Sequence, residues 1–237
     1  MSPAQKHKPL EAMILAAGRG ERMRPLTDTV PKPLVPVRGA PLIEHHIRKL
    51  VAVGVRRVII NVSYMAETLI AALGHGERFG CDLIYSVESS PLESGGGIAT
   101  ASVHFQSDAI ILVSADIYSD LDYASLLPRV SAIENGQIQS HFVMVAPTAG
   151  EPGGEFAVGA DGRVHMGQPR MTLANIAVLA TAPSRTWPRG ERFKLLPYYQ
   201  QIVEAGVVSG EVFSGVWKNV TTAADIDFLD AAQAASN

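Results

Sequence analysis

The sequence predicts an α/β fold, a mostly parallel sheet with helices on both faces. Short apolar runs rich in Val and Ile recur along residues 1–146, each bounded by turn residues. Amphipathic helical stretches separate them. No apolar run is long enough to cross a bilayer, and a single cysteine cannot staple a small scaffold, so a packed core must hold the chain together. Alternating strands and helices of this kind bury their apolar faces as a parallel sheet covered by its crossovers.

The strands expected in the first part are 11–17, 57–62, 82–86, 109–114 and 141–146. "PLIEHHIRKLVAVG" has proline near its first turn, Leu42, Ile43, Ile47, Leu50 and Val51 on one face, and Gly54 past its end, the pattern of a capped helix. "AETLIAALG" is a second helix, "GGGIATASVHF" contains a third, and "LDYASLLPRVSAIENG" a fourth. The pattern changes after Ala146. "EFAVGADGRV" reads as a hairpin turning at Asp161–Gly162. "MTLANIAVLA" is a further strand, and "RFKLLPYYQQIVEAG" is an amphipathic helix that Pro197 is expected to kink. "GEVFSGVWKNV" is extended, and "AADIDFLDAAQAA" is a closing helix. The change marks two parts of one domain, residues 10–146 and 147–237, after a mobile tail over residues 1–9.

Composition narrows the function. At 237 residues, 47% hydrophobic and 18% charged, the chain reads as one soluble globular domain. A net charge of -3 with dispersed basic residues and few aromatics argues against a nucleic-acid partner. Cys81 excludes an internal disulfide or a CxxC site and reads as a core residue. The start, "MSPAQKHKPLEA", lacks the apolar segment of a signal peptide, so the cytoplasm is expected, for a monomer or small homo-oligomer. The histidines show no metal-ligand spacing, and His45–His46 read as a helix face.

The stretch "LAAGRGERMRPLTDTVPKPLVPV", residues 15–37, carries the chemistry. It sets Gly18 and Gly20 among Arg19, Arg22, Arg24 and Lys32, with prolines at 25, 31, 33 and 36. It is not a P-loop, because Gly20 is followed by Glu21 and Arg22 rather than Lys and Ser or Thr. It is a poor dinucleotide fingerprint, because Met23 stands at the third glycine and the strand ending at Asn61 has no nearby acid for a ribose. Two readings remain: a long loop whose backbone N–H groups and cations hold a nucleoside triphosphate, or a solvated basic surface loop.

The segment "AMILAAGRGERMRPLTDTVPKPLVPVRGAPLIEHHI" resembles the signature of the sugar-1-phosphate nucleotidyltransferases, Gly-x-Gly-[Thr/Glu]-Arg followed by Pro-Lys-Pro-[Leu/Met]. It is most similar to the small bacterial N-acetylmuramate-1-phosphate uridylyltransferases of cell-wall recycling, from Glu11 nearly to the chain's end. The resemblance implies a Rossmann-like core, Mg²⁺, a nucleotide part at 10–146 and a smaller sugar-side β/α part at 147–237. It implies that Ala16, Ala17, Gly18, Gly20, Glu21, Arg22, Lys32, Gly95, Gly96 and Ser114 surround the nucleotide, with Arg22, Lys32 and Asp116 catalytic. Glu93, Glu155, Asn175, Lys194 and Trp217 would face the sugar. Asp116 would hold the metal together with Asn219, which stands where the family carries a second carboxylate. Ala115 and Thr221 stand where the family carries glycine. The substrates implied are UTP and N-acetylmuramate 1-phosphate. The rivals are glucose or mannose 1-phosphate with dTTP or GTP, and a binding homologue without turnover.

Overall fold

The computed structural model describes residues 8–147 and 153–234. Of the tail expected over residues 1–9, residues 1–7 lie outside the described residues, as does 148–152 just past the change of pattern. The first part runs β1 (Glu11–Leu15), β2 (Pro36–Val37), β3 (Ala40–Pro41), α1 (Leu42–Ala52), β4 (Arg57–Val62), α2 (Ala66–Leu73), β5 (Asp82–Val87), α3 (Glu93–Ala101), β6 (Ala109–Ser114), β7 (Ile117–Ser119), α4 (Leu127–Glu134) and β8 (Ser140–Val145). The second runs β9 (Phe156–Val158), β10 (Val164–Met166), β11 (Thr172–Ala180), α5 (Leu196–Glu204), β12 (Val208–Phe213), β13 (Trp217–Asn219) and α6 (Ala223–Ala234).

Seven strands form one sheet in the order β12-β8-β11-β6-β1-β4-β5. Neighbours run parallel except at β11, which is antiparallel to both β6 and β8. Successive side chains on a strand point to opposite faces, and β1 shows the division. Ala12 and Ile14 pack with Ile47 of α1, Leu69 of α2 and Val130 of α4. Met13 packs on the other face with Ile98 of α3 and Tyr199 and Ile202 of α5. Burial on both faces is why these strands read as unbroken apolar runs. β9 and β10 form the expected hairpin, and β13 pairs with β7 apart from the main sheet.

The chain leaves β1 for β4 and β5 on one side and returns to β6 on the other. The strand order therefore reverses between β1 and β6, and a crevice opens outside their carboxyl ends. The loops that follow these two strands contain the motif residues.

One expectation needs correction. Pro197 lies in the first turn of α5, where no intrahelical bond needs its missing N–H, so it starts the helix and does not kink it. The fourth helix forms within its expected stretch, from Leu127, after a 3-10 turn at Tyr123–Leu126. The long loop contains 3-10 turns at Glu21–Met23, Leu26–Asp28 and Lys32–Leu34. His46 lies on a buried face of α1 and is 1% exposed. Its Nε2–H donates to the Ile117 carbonyl and its Nδ1 accepts from the Tyr123 hydroxyl. Cys81 is buried as expected.

Candidate active site

Three adjoining cavities open at the crevice. The first, about 360 Å³, is lined by Ala16, Ala17, Gly18, Gly20 and Lys32 of the first loop, Asn61, Glu93 and Ser94, and Ser114 to Asp116. The second, about 290 Å³, shares Leu15, Ser94 and Ser114 with it and is walled by Leu112, Leu173, Asn175, Ile176, Leu195, Leu196 and Tyr199. The third, about 250 Å³, lies on the other side of Lys32 and Asp116, against Glu21, Arg22 and Thr221.

Local backbone explains the first loop. Gly20 has φ +70°, which favours glycine, and a Cβ there would stand 3.0 Å from Lys32 Cβ, a tight contact. Gly18 is different. Its φ is ordinary, and a Cβ would meet nothing within 4 Å. The fold does not need glycine at 18; the space left free belongs to the cavity. Ala16 is fixed by its N–H, which donates to Asn61 Oδ1 at 3.0 Å.

Lys32 is 7% exposed, and its Nζ donates to Asp116 Oδ2 at 2.9 Å. Asp116 sits in the turn between β6 and β7. His46 supports that turn from behind through Ile117. Burial pushes the His46 pKa down to about 4, so the ring is neutral.

The last piece comes from the chain's end. Asn219 pairs with Ile117 in the β13–β7 ladder, and the Val220 N–H donates to the Asp116 carbonyl at 2.9 Å. Asn219 is thereby set beside Asp116. Its Oδ1 is buried and has no hydrogen-bond partner among the described residues. Such an oxygen is costly unless something binds it. Asp225 holds the turn that follows. It accepts from the N–H and hydroxyl groups of Thr221 and Thr222 and pairs with Lys218 at 2.9 Å. Against the opposing cost of burial, these donors hold its carboxyl well below the usual range. The Thr221 side chain is accommodated because Asp225 accepts its hydroxyl. Ala115, 1% exposed, tucks its extra methyl into the core.

The donor set suits a hard divalent cation. One carboxylate, Asp116, and one orphaned amide oxygen, Asn219, are oxygen ligands of the kind Mg²⁺ takes. No cluster of three or more His, Cys, Asp or Glu able to hold a metal occurs among the described residues. Any such ion would depend on phosphates and water for its remaining ligands.

Other predicted residues fall unevenly. Arg22 lines the third cavity, and Asn175, at φ +57° in a β11 irregularity, lines the second. Trp217 lies near by, but its indole N–H donates to the Ala174 carbonyl, so it steadies the backbone that carries Asn175. Trp217, Glu155 and Lys194 line none of the three cavities. Glu155 accepts from Gln200, and Lys194 is exposed.

The triple glycine has a cause the sequence did not show. Gly95, Gly96 and Gly97 lie inside α3. A Cβ at Gly95 would fall 2.5 Å from the Phe193 ring, and one at Gly96 would fall 2.1 Å from the Glu191 carbonyl oxygen. The N–H groups of Gly95 and Gly96 both donate to the Phe193 carbonyl. Gly95 and Gly96 therefore admit the strap 190–195, and their amides are engaged by it rather than open to a nucleotide. Glu93, at φ +62°, pairs with Arg192 of the strap at 2.7 Å.

Sequence reading missed Asn61, Glu88, Ser94, His46 and Asp225. Asn61 ends a strand on the crevice side, which was the available signal. An acid does stand beside it: Glu88 accepts from Asn61 Nδ2 at 2.7 Å.

A strand-end loop of glycines and cations beside a carboxylate, opening on adjoining cavities of about 360, 290 and 250 Å³, is the arrangement of a nucleotide-handling α/β protein. Residues 11–164 match the family model described as nucleotidyl transferase. The chain belongs to the nucleotidyl transferase family, in its sugar-1-phosphate branch. It is 34% identical over 217 residues to N-acetylmuramate alpha-1-phosphate uridylyltransferase of Neisseria meningitidis serogroup B, covering 90% of this chain and 94% of that one. It is 32% identical over 223 residues to the protein of the same name from Caulobacter vibrioides, covering 90% and 92%. A mannose-1-phosphate guanylyltransferase of Mycobacterium tuberculosis is 36% identical over 118 residues, half of this chain and 33% of that protein. In fold the chain is similar to a Bacillus anthracis structure with bound sucrose, described as a glucose-1-phosphate thymidylyltransferase (TM-score 0.81, 18% identity, 94% of each chain). HddC of Yersinia pseudotuberculosis complexed with GMP-PN gives a TM-score of 0.74 at 21% identity, covering 94% of this chain and 99% of that one.

Proposed function

We propose that the protein transfers a uridylyl group from UTP to N-acetylmuramate 1-phosphate, releasing pyrophosphate and forming a nucleotide sugar for cell-wall recycling in the cytoplasm. One observation carries the reading: the first loop, Lys32 and Asp116 line adjoining cavities at the β1/β6 crevice. A phosphate oxygen of the sugar 1-phosphate attacks the α-phosphorus of UTP. A new P–O bond forms, and the bridge between the α- and β-phosphates breaks with its electron pair on pyrophosphate. The attacking group is already anionic, so no protein nucleophile or base is needed. The work left to the protein is positioning and charge neutralisation. Lys32 leaves Asp116 for the phosphates, Arg22 and the backbone from Gly18 to Glu21 hold the β- and γ-phosphates, and Ser114 closes the floor. Asp116 and Asn219 would hold Mg²⁺, which when bound would supply positive charge to the reacting phosphates.

The sugar choice rests on the relatives and on the second cavity. Its leucine-rich wall with Tyr199 suits a sugar bearing acyl and lactyl carbons better than a bare hexose. Asn175 would orient the sugar there. Glu93, which lines the first cavity, and Trp217, through the backbone that carries Asn175, complete the sugar side in this reading; Glu155 and Lys194, which line none of the cavities, take no part in it. A rival, a nucleotide-binding homologue without turnover, is favoured by Asn219 in place of a carboxylate. Pyrophosphate release from each NTP with each sugar 1-phosphate separates these. The expected result is the largest kcat/KM for UTP with N-acetylmuramate 1-phosphate. A larger value for dTTP with glucose 1-phosphate would overturn the substrate assignment, and NTP binding without release would favour the rival.

A further inference from the structure

Two polar side chains are buried beneath the crevice, and neither has an ion-pair partner among the described residues. Asn61, at the end of β4, is 3% exposed, and Glu88, just past β5, is 4% exposed. Together they form a chain of hydrogen bonds. The Ala16 N–H donates to Asn61 Oδ1 at 3.0 Å, Asn61 Nδ2 donates to Glu88 Oε1 at 2.7 Å, and the Leu92 N–H donates to Glu88 Oε2 at 3.0 Å. The Ala16 amide can only donate, so the orientation of the Asn61 amide is fixed. Each named side-chain atom faces one partner of opposite kind.

We infer that Asn61 and Glu88 are positioning residues that tie the phosphate loop to the loop entering α3, and so set the width of the nucleotide cavity. Ala16 opens the loop that would hold the phosphates, and Leu92 immediately precedes Glu93 at the start of α3. Both walls of the first cavity are thus connected through Asn61, which lines it, and through Glu88, which does not. Gly97 supports the assignment independently. A Cβ there would stand 2.7 Å from Asn61 Nδ2 and 2.9 Å from Glu88 Oε1, so the third glycine of α3 leaves room for this pair. Burial raises the Glu88 pKa, and the two donors oppose that shift. A buried carboxylate without a paired cation is a costly way to hold two loops if packing alone were needed.

The inference rests on the nucleotide reading of the cavity, and its test keeps the two apart. Glu88→Gln keeps shape but turns an NH₂ toward either the Asn61 NH₂ or the Leu92 N–H. A double variant, N61D/E88Q, restores every bond. The carboxylate introduced at position 61 accepts from the Ala16 N–H and from the NH₂ introduced at position 88, and the new amide oxygen at position 88 accepts from the Leu92 N–H. Affinity for UTP by calorimetry and amide exchange at Ala16 and Leu92 are measured on all three proteins. Loss of one buried charged hydrogen bond predicts UTP affinity about tenfold weaker in E88Q, with faster exchange at both amides. The double variant should restore slow exchange at both amides to within about twofold of wild type, which restored packing alone could not do; its UTP affinity also feels the new carboxylate at position 61, which lines the cavity. Unchanged affinity in E88Q, or amides that exchange as fast in the double variant as in E88Q, overturns the inference. If wild type binds none of the NTPs, the nucleotide reading fails. The exchange data then decide whether the relay exists, and the cavity-width role falls with the nucleotide.

Discussion

Lys32 and Asp116 meet at 2.9 Å where both are partly withdrawn from water, and that contact makes Lys32 testable by itself. If its ammonium moves to the reacting phosphates, Lys32→Ala should lower kcat roughly a hundred-fold or more, as removal of one aimed electrostatic group does. The melting temperature should hold. Near wild-type turnover would remove Lys32 from the chemistry. Asn219 gives a second test at this scale. Asn219→Asp adds a negative charge at an oxygen that is buried and unpartnered among the described residues. The Mg²⁺ concentration for half-maximal activity, and that for half-maximal binding followed by Mn²⁺ competition, should both fall. An unchanged titration would show that Asn219 only finishes the turn after Trp217.

Among the elements, α3 and its strap show how function was and was not legible. The five inner sheet strands were readable because strands buried on both faces leave unbroken apolar runs; the edge strands β5 and β12 are partly exposed, and β12 was seen only as extended chain. The first loop was readable because glycine, cation and proline occur together in one continuous stretch. The resemblance sets Gly95 and Gly96 around the nucleotide, but both make room for a strap about a hundred residues away in sequence, and no local pattern encodes that. Asn61 and Glu88 were invisible for the same reason: each is a lone polar residue near a strand end, and only the fold makes them a pair. Two glycine variants separate these cases. Gly96→Ala drives a Cβ against the Glu191 carbonyl and should lower stability by about 1–3 kcal/mol in denaturant titrations. Gly18→Ala meets nothing and should leave stability unchanged while weakening NTP binding. Equal stability losses at both positions would contradict the account of the loop.

At the scale of the whole molecule, pH reports the support behind Asp116. His46 has a folded pKa of about 4 against an ordinary value of 6.5. Between these values the unfolded chain binds the extra proton and the folded chain does not. The contribution is therefore present in full above pH 6.5 and is lost as pH falls toward 4, up to about 3 kcal/mol. Chemical denaturation at about pH 7.5 and about pH 5 should show that fall, ahead of carboxylate titration. A flat profile over this range would mean that His46 charges freely and does not brace the turn.

Transfer, as opposed to mere binding, at the crevice between β1 and β6 is measured by pyrophosphate release from UTP, N-acetylmuramate 1-phosphate and Mg²⁺ with wild type and with Asp116→Asn. Wild type should turn over many times, and Asp116→Asn should release almost none, with UTP binding and the thermal melt largely retained. Binding of UTP without release by wild type, or full release by Asp116→Asn, would rule out the proposed transfer at this crevice.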